Sequence, residues 1–592
     1  MPRPPIRIAV AAALATATLA LASSAAAAPP ATVADALATN WAERQNSDGS
    51  FPDSLRPTSH GYGRYGEAGM GYGLILAGVR TGREDLAQRG ARAQLYAIEH
   101  APDRNSVFEA MMLASGYNQL RLRAPATPAF AERRAEWEGY LRTVAPLFNA
   151  SIAEPYLSSN KYLVEAVLDL ELARSGLRSS TPGATLNDPR TARRRALDVI
   201  NRLVPQRVRM LRAQVAGQRI TALSDRYAEP AAYHALVLGF LARAIDLAGP
   251  RAHNRARESL RTGVRTTWAF QAPDGDLAYF GRSQGQAWAL AASAFAAERA
   301  AGPSCDRQAR ALLAVEDRAM ARMDARHPIG PNGMPVVPSA NGPASVKAID
   351  SYAGDVVYNG LTLTMLGWAA DGTVPRPGCT PGRLLADRAR SGARFPFELA
   401  RFATARRGRV WMAVKQRSQR SDPRAAFGLR ALKYRADNGS WIDLIPGAPI
   451  DAGAPGSTLG PSLVRRDGML ARPEGAHLRF TRRLLLVDGG WVIRHRHWIR
   501  RTVFRFVPTA RGVRVVVPVK KGDRVRYSAL TVGRPAILPN GVAGPVATTL
   551  ASVPATVVLR GPYASSSSLD VWRSDIEVRA AAKRVTFTIA AR

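Results

Sequence analysis

From Pro30 to Asp371 the sequence repeats one pattern. About a dozen segments place apolar residues three and four positions apart, the spacing of one helix face. Alternate segments differ in character. Met70–Gly78 (MGYGLILAG), Gln286–Ala296 (QAWALAASAFA) and Asn359–Ala370 (NGLTLTMLGWAA) carry almost no charge, whereas Arg83–Gln94 and Arg255–Arg265 are rich in arginine. A helix that is apolar all round has to be buried, and an amphipathic helix has to cover it. Inner and outer helices in alternation, joined by turns with Gly, Pro, Asp or Asn, predict an α/α toroid of about six helical hairpins. The units differ too much in sequence for a solenoid of identical repeats.

The pattern then changes. The Pro- and Gly-rich stretch 376–394 reads as a linker. Beyond it, short runs alternate apolar and polar residues, separated by turn signals such as Asp488-Gly489-Gly490 and Lys521-Gly522-Asp523. These predict a C-terminal antiparallel β-sandwich over 395–592, following a toroid domain over 29–375. At 592 residues the chain is too long for one simple core and divides naturally in this way. Residues 1–28 combine Arg3 and Arg7 with an apolar stretch and small residues before Pro29, the pattern of a secretory signal peptide. No later stretch reads as long and apolar enough to span a bilayer.

Export makes the two cysteines, Cys305 and Cys379, a candidate disulfide. They lack the neighbouring histidines of a zinc site. The chain has 82 Lys and Arg against 46 Asp and Glu, a net charge of +36, with arginines scattered through every segment. For an exported protein this favours an acidic polysaccharide as partner over nucleic acid or a membrane surface. Biased composition accounts for scattered arginines equally well. The H-E-x-x-H and P-loop patterns are absent from the sequence.

Early in the mature chain, Asp48-Gly49-Ser50-Phe51 is followed by His60 and then by Tyr62-Gly63-Arg64-Tyr65-Gly66. This stretch resembles one in hyaluronate and chondroitin lyases. A helical toroid followed by a β-sandwich resembles the α/α-toroid polysaccharide lyase superfamily, which acts on hyaluronate, chondroitin, heparin-type chains or alginate. The architectural resemblance covers essentially the whole mature chain and implies β-elimination at a uronate. The C5 proton of a uronate is barely acidic until its carboxylate is neutralised by donors such as Asn, Arg or His. A Tyr or His then removes the proton, and a Tyr protonates the leaving oxygen.

Residues of these types stand just ahead of, or at the start of, apolar helices. The expected catalytic set is Asn160, Tyr227, His234 and Arg282; the expected substrate-binding set is His60, Tyr62, Tyr65, Tyr279, Gln284 and Asn359. By the resemblance, Asn160 corresponds to the asparagine that neutralises the carboxylate. Each also has a plainer reading. Asn160 fits a helix cap, His234 a hydrogen-bonded core histidine, and Arg282 an ion-pair partner for Asp276. Tyr62, Tyr65 and Tyr72 fit packing between helices, with Gly63 and Gly66 permitting close approach. Because the helix starts of a toroid share one mouth, these residues together predict a cleft rim. His495 and His497 share a strand face but have no third ligand nearby, so packing is the better reading.

The expectation is therefore a secreted, extracellular or cell-wall-associated lyase, monomeric, acting on an acidic polysaccharide. No cofactor, metal or nucleic acid is expected, and no membrane after signal cleavage. Two other readings stay open: a toroid hydrolase using two of Asp48, Glu67, Asp274, Asp276 and Asp355, and a glycan-binding protein without catalysis. These acids read as turn residues, where Asp is ordinary.

Overall fold

The alternation of apolar and charged helices resolves into two concentric layers. The computed structural model describes residues 27–55, 65–100, 107–144, 159–178, 188–210, 212–221, 223, 231–281, 283–336, 354–372, 374–395, 402–415, 428–447, 460–464, 470–471, 473–480, 485–492, 499–565 and 568–592. Its helices are α1 (Pro30–Glu43), α2 (Gly66–Thr81), α3 (Glu84–His100), α4 (Val107–Arg123), α5 (Pro128–Thr143), α6 (Ser159–Ser175) and α7 (Pro189–Asp198). A π turn at Val199–Leu203 leads from α7 into α8 (Val204–Met210). There follow α9 (Ala231–Ala248), α10 (Asn254–Phe270), α11 (Ala287–Ala301), α12 (Arg307–Arg326) and α13 (Asp355–Asp371).

Among the described residues, α2, α4, α6, α9, α11 and α13 form an inner ring in which each packs on the next and α13 closes on α2. The closing contact depends on glycine. A Cβ on Gly73 would lie 2.5 Å from the Leu363 side chain, and one on Gly360 would lie 2.8 Å from the Met70 nitrogen. Gly69 faces Gly360, and Leu76 faces Gly367 one turn pair later, so the two helices run parallel. Toward its C-terminal half the ring is filled by a buried polar network. Arg243 of α9 donates to Glu171 of α6 at 2.9 Å, and Asn118 of α4 donates to the other Glu171 oxygen at 2.8 Å. Trp368 of α13 donates to the Tyr72 hydroxyl of α2 at 2.9 Å. Burial would strip the charge from Arg243, but Tyr72 and Glu171 hold it protonated.

Helix α9 with its following turn, Ala232–Arg251, has the length and hydropathy of a membrane span, contrary to the expectation that no such stretch exists. It is apolar because it stands in the inner ring, with 83% of it buried. A short hairpin, Arg212–Val215 with Gln218–Thr221, interrupts the helical region ahead of α9. The sequence reading missed it. Its turn places Ala216 and Gly217 at φ 49° and 77°, the geometry of a type I′ connection.

The stretch expected as a linker, 376–394, is not a free connection. Cys379 is bonded to Cys305, with Cα atoms 5.7 Å apart. The Gly382 N–H donates to the Arg310 carbonyl at 2.6 Å, and the Trp268 indole donates to the Arg383 carbonyl at 2.8 Å. Leu384, Leu385 and Ala386 are buried, and the first strand of the β-region, Arg390–Phe395, begins inside the stretch. Proline and glycine here shape a strap laid across α10 and α12.

That strand opens a five-stranded antiparallel meander, continued by Phe402–Arg407, Val410–Lys415, Gly428–Arg435 and Trp441–Asp443. Side chains alternate across a strand. Phe395, Phe402, Trp411 and Ala431 join the core of the toroid, while Ala403, Val410, Met412 and Leu432 join a second core. The second core also contains Phe504, Phe506 and Phe587 of an eight-stranded sheet, and Val525 and Ile576 of another five-stranded sheet. The meander is thus the middle layer between the helices and the rest of the sandwich.

A buried ionic cluster fastens this layer to the toroid. Lys433, on the helix-facing side of the meander, reaches Asp274 at 2.9 Å, Asp276 at 3.1 Å and the Asp443 carboxylate. Arg322 of α12 reaches Asp274 at 2.6 Å and Asp443 at 3.3 Å, and Arg326 also pairs with Asp443. Burial would raise the carboxyls of Asp276 and Asp443, but Lys433 and Arg322 hold both below the usual range. Nearby, His327 is buried, its Nδ1 3.1 Å from the Pro335 carbonyl, and burial pushes its pKa down to about 4.

Two outcomes follow for stability. Lys433→Met leaves three carboxylates short of a buried cation and is expected to cost about 3–5 kcal/mol in denaturant unfolding. A midpoint equal to wild type would contradict the clamp. The depressed His327 pKa leaves stability unaffected above the unfolded value near 6.5, where both states are neutral. As pH falls toward 4 it destabilises the fold by up to about 3 kcal/mol, because only the unfolded state takes up the proton. His327→Gln should therefore flatten the pH dependence of unfolding between about pH 6.5 and 4, and an unchanged slope would refute this.

Candidate functional site

Parallel inner helices open their N-termini at one end of the ring, and this end is the mouth. Helix starts leave backbone N–H groups available and carry the positive end of the helix dipole. Their first turns bring Glu67 (α2), Glu109 (α4), Asn160 (α6), Tyr233 and His234 (α9), Trp288 (α11), and Asp355, Tyr358 and Asn359 (α13) to this end. Aromatic rings link neighbouring helices here. Tyr65 stacks on Phe108 with centroids 5.0 Å apart. Tyr233 meets Trp288 edge-on at 5.8 Å, and Trp288 meets Tyr358 at 6.1 Å. The Tyr358 hydroxyl lies 3.3 Å from Ser283 Oγ in the loop leading into α11.

The residues singled out in the sequence divide sharply. Asn160 sits in the first turn of α6, 6% exposed, with Oδ1 accepting from the Lys161 N–H at 2.7 Å. It lies inside the helix, not at the capping position before it. Tyr65 stands immediately before α2 as part of the aromatic rim. His234 is a core histidine. Its Nδ1 lies 2.8 Å from the Leu223 carbonyl and its Nε2 3.1 Å from the Gly263 carbonyl, and burial lowers its pKa. Asn359 ties α13 to the preceding loop, accepting from Met334 N–H at 2.7 Å and donating to the Met334 and Asp355 carbonyls. Tyr279 donates to the Phe270 carbonyl at 3.0 Å, and burial pushes its phenol well above the usual range. Gln284 is buried and donates to the Gly281 carbonyl at 2.8 Å. His234, Tyr279 and Asn359 thus hold backbone in place, and for His234 this matches its plainer reading as a hydrogen-bonded core histidine. His60, Tyr62, Tyr227 and Arg282, and also His495 and His497, lie outside the described residues.

The Asp48-Gly49-Ser50-Phe51 stretch has a local structural reason. Asp48 Oδ1 accepts from the Ser50 N–H at 2.9 Å and from its hydroxyl at 2.7 Å, closing an Asx turn. Gly49 has φ +98°, and a Cβ there would lie 2.7 Å from the Arg92 carbonyl oxygen, so only glycine fits. Phe51 packs edge-on against Trp41 at 5.8 Å.

The acids offered for hydrolysis separate in the same way. Asp274 and Asp276 are spent in the ionic clamp. Asp355 accepts from the backbone and hydroxyl of Ser54, tying α13 to the α1–α2 loop. Glu67 is different, and lies in the first turn of α2 instead of in a turn between elements. It is 7% exposed, and its Oε1 has no hydrogen-bond partner. Burial first, and then the neighbouring carboxyls of Asp53, Glu109 and Asp48, push its pKa well above the carboxylate range. A carboxyl whose pKa is raised in this way is suited to donate a proton. The sequence signal was available: Glu67 is a lone acid in an otherwise apolar inner helix.

No family model matches the sequence, and no curated protein matches it. Solved structures do. The chondroitin AC lyase of Streptomyces coelicolor A3, in complex with chondroitin sulphate, superposes with a TM-score of 0.50 at 12% identity, over 95% of this chain and 79% of that one. A Paenibacillus xanthan lyase gives 0.48 at 10% identity, over 95% of this chain and 57% of that one. The GH76A α-1,6-mannanase of Salegentibacter sp. HEL1_6 gives 0.38 at 12% identity, over 58% of this chain and 99% of that one. The match to the chondroitin AC lyase spans helices and sheets together and shows that the chain shares that protein's fold, a helical toroid followed by antiparallel sheets.

Proposed function

We propose that this protein is a secreted polysaccharide lyase that cleaves an acidic, uronate-containing glycan by β-elimination at the mouth of the toroid. The observation that carries the reading is the convergence of six helix N-termini on one mouth, with Asn160 in the first turn of α6 and an aromatic rim from Tyr65 to Tyr358. Helix N-termini and an asparagine amide suit a uronate carboxylate, and neutralising that carboxylate acidifies the C5 proton. Aromatic side chains suit the apolar faces of sugar rings. The net charge of +36 favours the approach of an anionic polymer. In this reading Asn160 neutralises the carboxylate together with Arg282, and Tyr227 moves the proton.

Glu67 favours a second reading, hydrolysis, because a buried carboxyl held neutral is what a general acid requires. The two readings part on single variants assayed for chain cleavage of a uronate polymer. Elimination predicts that Asn160→Ala lowers turnover about a hundredfold with its melting temperature nearly unchanged. It predicts that Tyr227→Phe does likewise and that Glu67→Gln stays active. Hydrolysis predicts the reverse for Glu67→Gln, a loss of about a hundredfold or more. Full activity of both Asn160→Ala and Tyr227→Phe would overturn the proposed catalytic set.

A further inference from the structure

A second concave site lies between the toroid and the meander, with a volume of about 390 Å³. Its walls are the loop leading into α11, the end of α12 and the last two strands of the meander, and none of Tyr65, Phe108, Asn160, Trp288 or Tyr358 belongs to it. The loop into α11 stands between the two places, since Ser283 faces Tyr358 while Gln284 and Gln286 line the cavity.

The cavity has a built cationic wall. The pairing of Val410–Lys415 with Gly428–Arg435 shifts register between Ala413 and Val414, whose partners are Ala431 and Leu429. Arg430 is the extra residue of this β-bulge, and a bulge re-aims the side chain it carries. The Arg430 side chain is buried in the cavity wall. Arg322 and Arg326 line the same space beside Asp276 and Asp443, the two acids that the clamp holds against Lys433, Arg322 and Arg326. Arg326 remains 45% exposed.

Apolar side chains form part of the remaining wall, beside Tyr279, Gln284, Gln286 and His327. Trp441 lines the cavity, with the Arg406 guanidinium 4.9 Å from its ring centroid. Val532 and Val546, two of the five large hydrophobic side chains exposed among the described residues, form the lip. Single exposed valines are ordinary. Two that meet at one cavity beside a tryptophan form an apolar lip for a ligand. A flat indole, an apolar lip and guanidinium groups together fit a sugar ring that bears a carboxylate. The ring's C–H face lies on the indole and the carboxylate takes charge-assisted hydrogen bonds from arginine.

We propose that this cavity is a binding site for an acidic sugar residue of the hexuronate class, with its carboxylate on Arg326 and Arg430 and its ring against Trp441. The site is separate from the mouth and does not depend on the elimination chemistry there.

The probe is sodium D-glucuronate, titrated into the full-length protein by calorimetry, with methyl β-D-glucoside as the neutral control. Glucuronate is expected to bind about tenfold or more tighter than the glucoside, and Arg326→Ala and Trp441→Ala each to weaken it by about tenfold, through loss of a charge-assisted contact in the first and of the apolar ring surface in the second. Asn160→Ala, at the mouth, should leave it unchanged. Should Trp441→Ala fail to fold, Trp441→Phe serves in its place: the change in tryptophan fluorescence on adding glucuronate should vanish in that variant. No binding, equal binding of the neutral sugar, or binding that survives both cavity variants and is lost in Asn160→Ala would overturn the proposal. Because binding is read without turnover, failure of the elimination reading leaves this result intact, and the converse also holds.

Discussion

Each helical hairpin reverses the chain, so the helices that share the inner ring must run in the same direction. Burial makes that constraint binding: α2, α4, α9, α11 and α13 are too apolar to face water and close on one another instead. Six parallel helices gather their dipoles, positive at the mouth and negative at the far end. The far half is where Arg243 lies, paired with Glu171, so a buried cation stands among the helix ends that favour one. The mouth is correspondingly suited to anions before any side chain is considered. The proposed chemistry uses that asymmetry.

The meander gives the toroid its other boundary. One face of this sheet belongs to the helical core and the other to the sandwich core, so neither part has a complete surface without it. Lys433 is the charged centre of that contact, and the strap through Cys379 and Leu384 runs along its edge. Both proposed sites follow from these two packings. The mouth is where the helices end, and the second cavity is where the meander meets the toroid, with the bulged Arg430 in its wall.

Much of this architecture is legible in the residues, because burial leaves a strong mark on composition. The inner helices are visible as apolar runs, the change to strands as a change of period, and Cys305 with Cys379 as an even pair. What is not legible is what a polar side chain faces. Asn359, Tyr279 and His234 stand ahead of or within apolar helices just as Asn160 does, and all four bond backbone groups, so that chemistry alone does not separate site from scaffold. A sequence carries the hydrogen-bonding capacity of a residue but not the partner that long-range packing supplies. Proline and glycine in 376–394 signal a chain that turns, and they are silent on whether it turns in water or against a helix. The hairpin at Ala216-Gly217 was hidden because four-residue strands carry too little alternation to be seen. Arg430 looks like any strand arginine until the register on its partner strand is known.

The central claim is that the mouth performs elimination on a uronate. It is tested most directly by incubating the full-length protein with a panel of uronate polymers while following ultraviolet absorbance and new reducing ends together. Elimination creates a 4,5-unsaturated uronate at every cut, so absorbance and reducing ends are predicted to rise in parallel. New reducing ends without absorbance, or no cleavage of any uronate polymer, would contradict the account.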